Sequence, residues 1–123
     1  MDKIILRDIG VTACHGVYAE EKTEPQPFVI DLTLFLDLHP AAVSGKLADT
    51  VDYGALCRRV REFVKMNSFD LLETLAEELA RLVFSADGRI EGVRVRVEKS
   101  AARLDGGTFP AAVEIERSRE GTS

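Results

Sequence analysis

Val93, Val95 and Val97 alternate with Arg94, Arg96 and Glu98, and the next position on the valine side is Lys99. Two readings of that amine stand. In one, the strand ends at Val97 and Lys99 lays its stem on the core while the ammonium reaches water; the pattern alone favours this. In the other, Lys99 sits at the mouth of a pocket, where partial desolvation lowers its pKa and suits it to proton transfer near neutrality. Glu73 is similarly double. Asp70-Leu71-Leu72-Glu73 has the spacing of a capping box, with Asp70 at the N-cap and Glu73 at N3. A carboxylate in a first helical turn is also placed to accept paired N–H bonds from a flat heterocycle, and the helix N-terminus helps keep it ionised. Tyr53 opens an apolar stripe, which by itself means core packing, with a partner needed for its hydroxyl if buried. Glu20, Glu21, Lys22 and Glu24 crowd the stretch from Gly16 to Pro27. That composition usually marks a solvated loop, but this loop exceeds what a tight hairpin requires, and long loops in compact domains lean towards function.

The elements that must position these side chains follow from periodicity. Residues 3–14 are β-branched, apolar and interrupted by charge, a strand with Gly10 as the site for a bulge. Residues 28–38 alternate strictly, with Phe28, Ile30, Leu32, Leu34, Leu36 and Leu38 on one side, the signature of a strand with one buried face. The two form a long-looped antiparallel hairpin. His39-Pro40 stops the second strand, and residues 40–50 make a connection with room for a short helical turn. From Tyr53 the period becomes helical, through Leu56, Cys57, Val60, Phe63 and Val64, with Asp52 or Thr50 as cap. A second helix begins at Asp70, with Leu72, Leu75, Ala76, Leu79, Leu82 and Val83 on its stripe, and ends at Asp87-Gly88. Period two returns over 91–98; a Gly-Gly loop and a last strand, Phe109 to Glu116, complete the pattern.

The order ββααββ predicts an α+β fold in two layers, a four-stranded antiparallel sheet with both helices on one face. The other face is mixed, carrying Asp31, Thr33, Asp37, Arg94, Arg96 and Glu98. Long open edges are an association hazard in a monomer, so a homo-oligomer with sheets joined edge to edge is expected. Residues 1–117 read as a single domain and 118–123 as a frayed polar tail.

Composition excludes several classes. At 123 residues the chain has one core's worth of sequence. Its start lacks a signal-peptide layout and its longest apolar run is broken by Asp31, Thr33 and Asp37, so no membrane association is expected and a cytoplasmic location is. A net charge of −5 with no basic stripe argues against nucleic acid. Cys14 and Cys57 read as reduced structural thiols. With only His15 and His39, a three-histidine zinc site cannot be built within one chain, and no metal is expected.

Taken together, HGVYAEEKTEPQPFVIDL, DTVDYGAL, FDLLETLAEELA and VRVEK, in this order and spacing, resemble the dihydroneopterin aldolases of folate biosynthesis over residues 3 to 117. The resemblance implies a ββααββ subunit whose sheets join into a ring-shaped barrel (the tunnelling, or T-fold), as a homo-tetramer or homo-octamer with sites between subunits. It implies a lyase that splits 7,8-dihydroneopterin between C1′ and C2′ into 6-hydroxymethyl-7,8-dihydropterin and glycolaldehyde. The substrate's own N5=C6 imine stores the electron pair, so neither metal, Schiff base nor cofactor is implied.

By matching position, the resemblance implies that Lys99 is the catalytic lysine moving protons at the 2′-hydroxyl and N5. It implies that Tyr53, contributed by a neighbouring subunit, relays protons and stacks near the pterin. It also implies that Glu73 anchors the 2-amino and N3 positions with the Leu72 backbone assisting, and that Glu21 contacts the hydroxyl side chain. The chain departs from the family pattern at Lys99-Ser100, where Lys-Pro is common, in AARLDGG, and in SGKLADT, which lacks the acidic residue often found before the leucine. Relatives on this scaffold epimerise C2′ with the same residues, and a non-catalytic pterin-binding module is the reading from another class. A zinc-dependent pterin synthase is disfavoured by the histidine count.

Overall fold

The alternation in the second strand is the backbone of the core: Phe28, Ile30, Leu32, Leu34 and Leu36 are all buried. In a computed structural model describing residues 1–104 and 107–120, they lie on β2 (Gln26–Leu36), flanked by β1 (Asp2–Ala13) and β3 (Gly92–Leu104); β4 (Gly107–Ser118) completes the sheet. The order is β1-β2-β3-β4, every neighbouring pair antiparallel. Between β2 and β3 come the short α1 (His39–Ser44), α2 (Tyr53–Met66) and α3 (Leu72–Ala86). Both long helices cover one face. Leu56, Val60 and Val64 of α2, and Leu75, Ala76, Leu79, Ala80, Val83 and Phe84 of α3, are buried in one core with Val93, Val95 and Val97. This is the two-layer α+β fold that the periodicity predicts.

Five details differ from expectation, each for a local reason. The bulge in β1 falls between Leu6 and Ile9, not at Gly10, which pairs regularly with Val29. Asp8 takes φ 59° there and donates its N–H to Asp31 Oδ1 at 2.7 Å; Asp is one of the few residues to tolerate the left-handed region. Second, β3 does not end at Val97 but runs on to Leu104. Its pairing with β4 slips by one between Lys99 (opposite Ala111) and Ala102 (opposite Phe109). Opposite the slip stands Pro110, which has no N–H for the ladder and is admitted to sheets mainly at edges and bulges.

Third, α3 starts at Leu72 with Leu71 as its N-cap residue and no side-chain cap. The Asp70–Glu73 capping box does not form because the Asp70 carboxylate is paired with Lys22. Fourth, Tyr53 is 56% exposed instead of packed in the core. Helical side chains lean towards the N-terminus, so the side chain of the first residue projects past the turn that packs on the sheet. Asp52 does cap α2, accepting Ala55 N–H at 3.1 Å. Fifth, Arg119, inside the predicted tail, donates to the carbonyls of Ile90 (2.8 Å), Asp87 (2.9 Å) and Phe84 (3.1 Å).

The approach to Tyr53 is also fastened. Arg89 donates to the carbonyls of Ala48 at 2.6 Å and Thr50 at 2.7 Å, fixing the turn ahead of α2 to the residues beyond α3.

Candidate active site

Because β3 continues, Lys99 is held between two strands, opposite Phe28 on β2 and Ala111 on β4. Its inward side chain, only 8% exposed, does not reach bulk water. It ends in an ion pair with the Glu21 carboxylate. Glu21 is 1% exposed and sits on a 3-10 turn, Ala19–Lys22. Its carboxylate also accepts the Tyr18 N–H at 3.3 Å and a Gln26 side-chain N–H at 3.4 Å. Burial pushes the Glu21 carboxyl up, but Lys99, the Tyr18 N–H and Gln26 together outweigh it and hold the group below the usual carboxylate range.

The chain bends under this carboxylate at Gly16, whose φ is +151°. A Cβ there would lie 2.4 Å from Glu21 Oε1, so only glycine lets the loop close over the pair. Lys22 donates to the Gly16 carbonyl at 2.9 Å and pairs with Asp70, drawing the loop against the start of α3. Beside it the buried His15 lies between Val64 O (2.8 Å from Nε2) and the Phe69 N–H (3.0 Å from Nδ1).

Lys99, Glu21, Leu72 and Glu73 line one cavity of about 340 Å³, with Val17 and Tyr18 at its rim. That volume suits a small-molecule site. Glu73, in the first turn of α3, is exposed. It lies beside the first N–H groups of the helix, which have no carbonyl one turn earlier to bond. The Glu73 carboxylate, the first residue of α3 and the amine–carboxylate pair therefore line one space. Tyr53 does not line it. A larger cavity of 460 Å³ lies on the other face of the sheet, among Lys3, Asp31, Arg94 and Arg96. Its Arg96 is paired with Asp31 at 3.6 Å and, outside the cavity lining, with Glu98 at 2.9 Å.

Gln26, Gly16, His15 and the Lys22–Asp70 pair escape sequence reasoning. Gly16 acts through a backbone angle and His15 and the Lys22–Asp70 pair through residues distant in the chain, while Gln26 is a polar residue at the start of the buried face of β2. Among the described residues no three His, Cys, Asp or Glu side chains converge as a metal site, and no helix is long and apolar enough to cross a membrane.

The buried imidazole has a measurable consequence. Desolvation, aided by the nearby Lys99 charge and opposed by the bond to Val64, lowers the His15 pKa from the ordinary 6.5. Between the two values the unfolded chain binds more protons than the folded one. Stability is thus full above the unfolded value and lost as pH falls through the folded one; depressed Glu21 adds its own loss at lower pH. The urea midpoint at fixed protein concentration is expected to fall between about pH 7 and about pH 5, and His15→Asn to flatten that slope.

A buried amine–carboxylate pair facing a helix start sits on a ββααββ subunit with a four-stranded antiparallel sheet, the architecture of the tunnelling-fold class. A uricase from Bacillus fastidious shares the fold with a TM-score of 0.68 at 13% identity, all of this chain matching 49% of that one. The likeness there is of fold alone. The family model of dihydroneopterin aldolase matches residues 4–116. The dihydroneopterin aldolase of Streptococcus pyogenes is 36% identical over 119 residues, covering 97% of this chain and 100% of that protein. The Escherichia coli dihydroneopterin aldolase, solved in complex with neopterin, superposes with a TM-score of 0.85 at 30% identity, over 96% of this chain and 100% of that one. The chain belongs to the dihydroneopterin aldolase family.

Proposed function

We propose that this protein cleaves 7,8-dihydroneopterin between C1′ and C2′, giving 6-hydroxymethyl-7,8-dihydropterin and glycolaldehyde. The observation that carries the reading is the buried Lys99–Glu21 pair sharing a cavity with Leu72 and Glu73. Glu73 accepts the 2-amino and N3 hydrogens of the ring, and the Leu72 backbone supports the same edge. The ring's side chain then extends towards Lys99 and Glu21. Removal of the 2′-hydroxyl proton lets the C1′–C2′ pair move into a C1′=C6 bond as C2′ becomes the aldehyde. The N5=C6 pair moves to N5, which takes a proton, and protonation at C1′ with loss of the N5 proton restores the imine. Lys99 is the proton carrier at the 2′-oxygen and N5, and Glu21 orients the hydroxyls.

The active form is a homo-tetramer or homo-octamer in which Tyr53 enters a neighbour's cavity. In support, Tyr53 is 56% exposed, Val17, Tyr18 and Leu71 at the cavity are also exposed, and the edge strands β1 and β4 are each 12 residues long. Incubation with 7,8-dihydroneopterin is expected to release glycolaldehyde and the hydroxymethyl pterin by mass; formation of the 2′-epimer with no cleavage product overturns the assignment. Tyr53→Ala and Lys99→Ala proteins, each nearly inactive alone, are expected to regain turnover when assembled as mixed oligomers. No recovery, or a monomer by light scattering, removes the shared site.

A further inference from the structure

The two halves of the cavity are joined by a seam of contacts distant in sequence, and its buried polar side chain is His15. On one side β1 turns into the loop carrying Glu21; on the other, residues 64–70 close α2 and lead into α3 with Leu72 and Glu73. Gly16 N–H donates to the Phe69 carbonyl at 3.0 Å, and Ser68 Oγ donates to the Cys14 carbonyl at 2.7 Å. The Ser68 bond and the Lys22–Asp70 pair are exposed, so water replaces them at little cost.

His15 has no such replacement, because its ring is 0% exposed. Phe69 N–H donates to Nδ1, so Nδ1 carries no proton; Nε2 carries it and donates to the Val64 carbonyl. Phe28, edge-on at 5.2 Å, and Phe69, stacked at 5.9 Å, hold the ring's plane. One neutral ring thus ties the end of β1 both to the end of α2 and to the approach to α3.

We propose that His15 is a positioning residue: locked as the Nε2–H tautomer, it fixes the spacing between the Lys99–Glu21 pair and the helix start at Leu72–Glu73. The inference rests on the assignment of ring anchoring to Glu73 and proton transfer to Lys99. Ring affinity resides at one end of the cavity and chemistry at the other. A slack seam therefore leaves the ring bound but its side chain out of register, and misplacement of about 1 Å costs up to about 100-fold in rate. Of the two bonds, the one to Phe69 leads into α3.

Asparagine and glutamine separate the two bonds. In His15→Asn the side-chain oxygen stands where Nδ1 stands and can accept Phe69 N–H; in His15→Gln the amide stands at Nε2 and can donate to Val64. Both lose the ring. The Asn oligomer is expected to keep kcat within about threefold of the unsubstituted protein, and the Gln oligomer to lose about tenfold or more. Both should bind 6-hydroxymethyl-7,8-dihydropterin within about threefold of the parent. Equal kcat in the two variants, or losses that simply follow melting temperature, overturn the proposal.

Should either variant fail to fold, nitrogen NMR of the unsubstituted oligomer decides. The chain has two histidines, and His39 is exposed, so the buried resonance is assignable. A neutral Nε2–H imidazole at assay pH is expected; an imidazolium or Nδ1–H form overturns the lock. That measurement needs no turnover, so failure to cleave dihydroneopterin would sink the functional reading and leave this one legible.

Discussion

Lys99→Ala is expected to lower kcat by about 10²–10⁴-fold, the usual contribution of a positioned acid–base group, and to destabilise the fold as well. The second effect follows from where the amine ends. Glu21 is 1% exposed and pairs with Lys99, and removing one partner of a buried pair leaves an uncompensated charge, at a cost of about 3–5 kcal/mol. Protonation of Glu21 would relieve part of that cost. Stability and activity should therefore come apart in a second variant. Lys99→Met with Glu21→Gln removes both charges, so its urea midpoint should lie above that of Lys99→Ala while activity stays absent. Turnover close to the parent's in Lys99→Ala, measured as glycolaldehyde release, would remove the lysine from the mechanism. A Lys99→Ala protein as stable as the parent would contradict the buried pair.

Glu73→Gln is expected to weaken binding of 6-hydroxymethyl-7,8-dihydropterin by roughly 10–150-fold, the equivalent of a charged hydrogen bond worth about 1.5–3 kcal/mol. The amide presents a donor where the ring also presents N–H. The melting temperature should hardly move, because Glu73 is exposed and α3 has no side-chain cap to lose. Calorimetric titration beside a thermal scan tests both statements. An unchanged dissociation constant means the ring is anchored elsewhere.

The fold was legible because its elements bury one face each: period two in β2 and β3, a helical stripe in α2 and α3. Lys99 was legible as an anomaly on a valine face. Its ion pair was not, because Glu21 reads as one of several loop acids. The end of β3 is not legible because Ser100-Ala101-Ala102-Arg103-Leu104 carries no apolar–polar alternation. Asp70 has the spacing of a cap and spends its carboxylate on a lysine 48 residues away. Position along the chain suggests the local partner; burial and geometry select the distant one. Tyr53 was placed on a stripe that its own helix does not cover, since amphipathic spacing says nothing about the first residue of a helix.

The slip beside Lys99 bears on where this chain leaves its relatives' pattern. Pro110 denies β3 a ladder donor, and Ser100, one position past the lysine, has no partner on either neighbouring strand. Lys99 itself stays clamped between Phe28 and Ala111. The bulge thus works as a firebreak: drift in the hairpin tip stops one residue short of the amine.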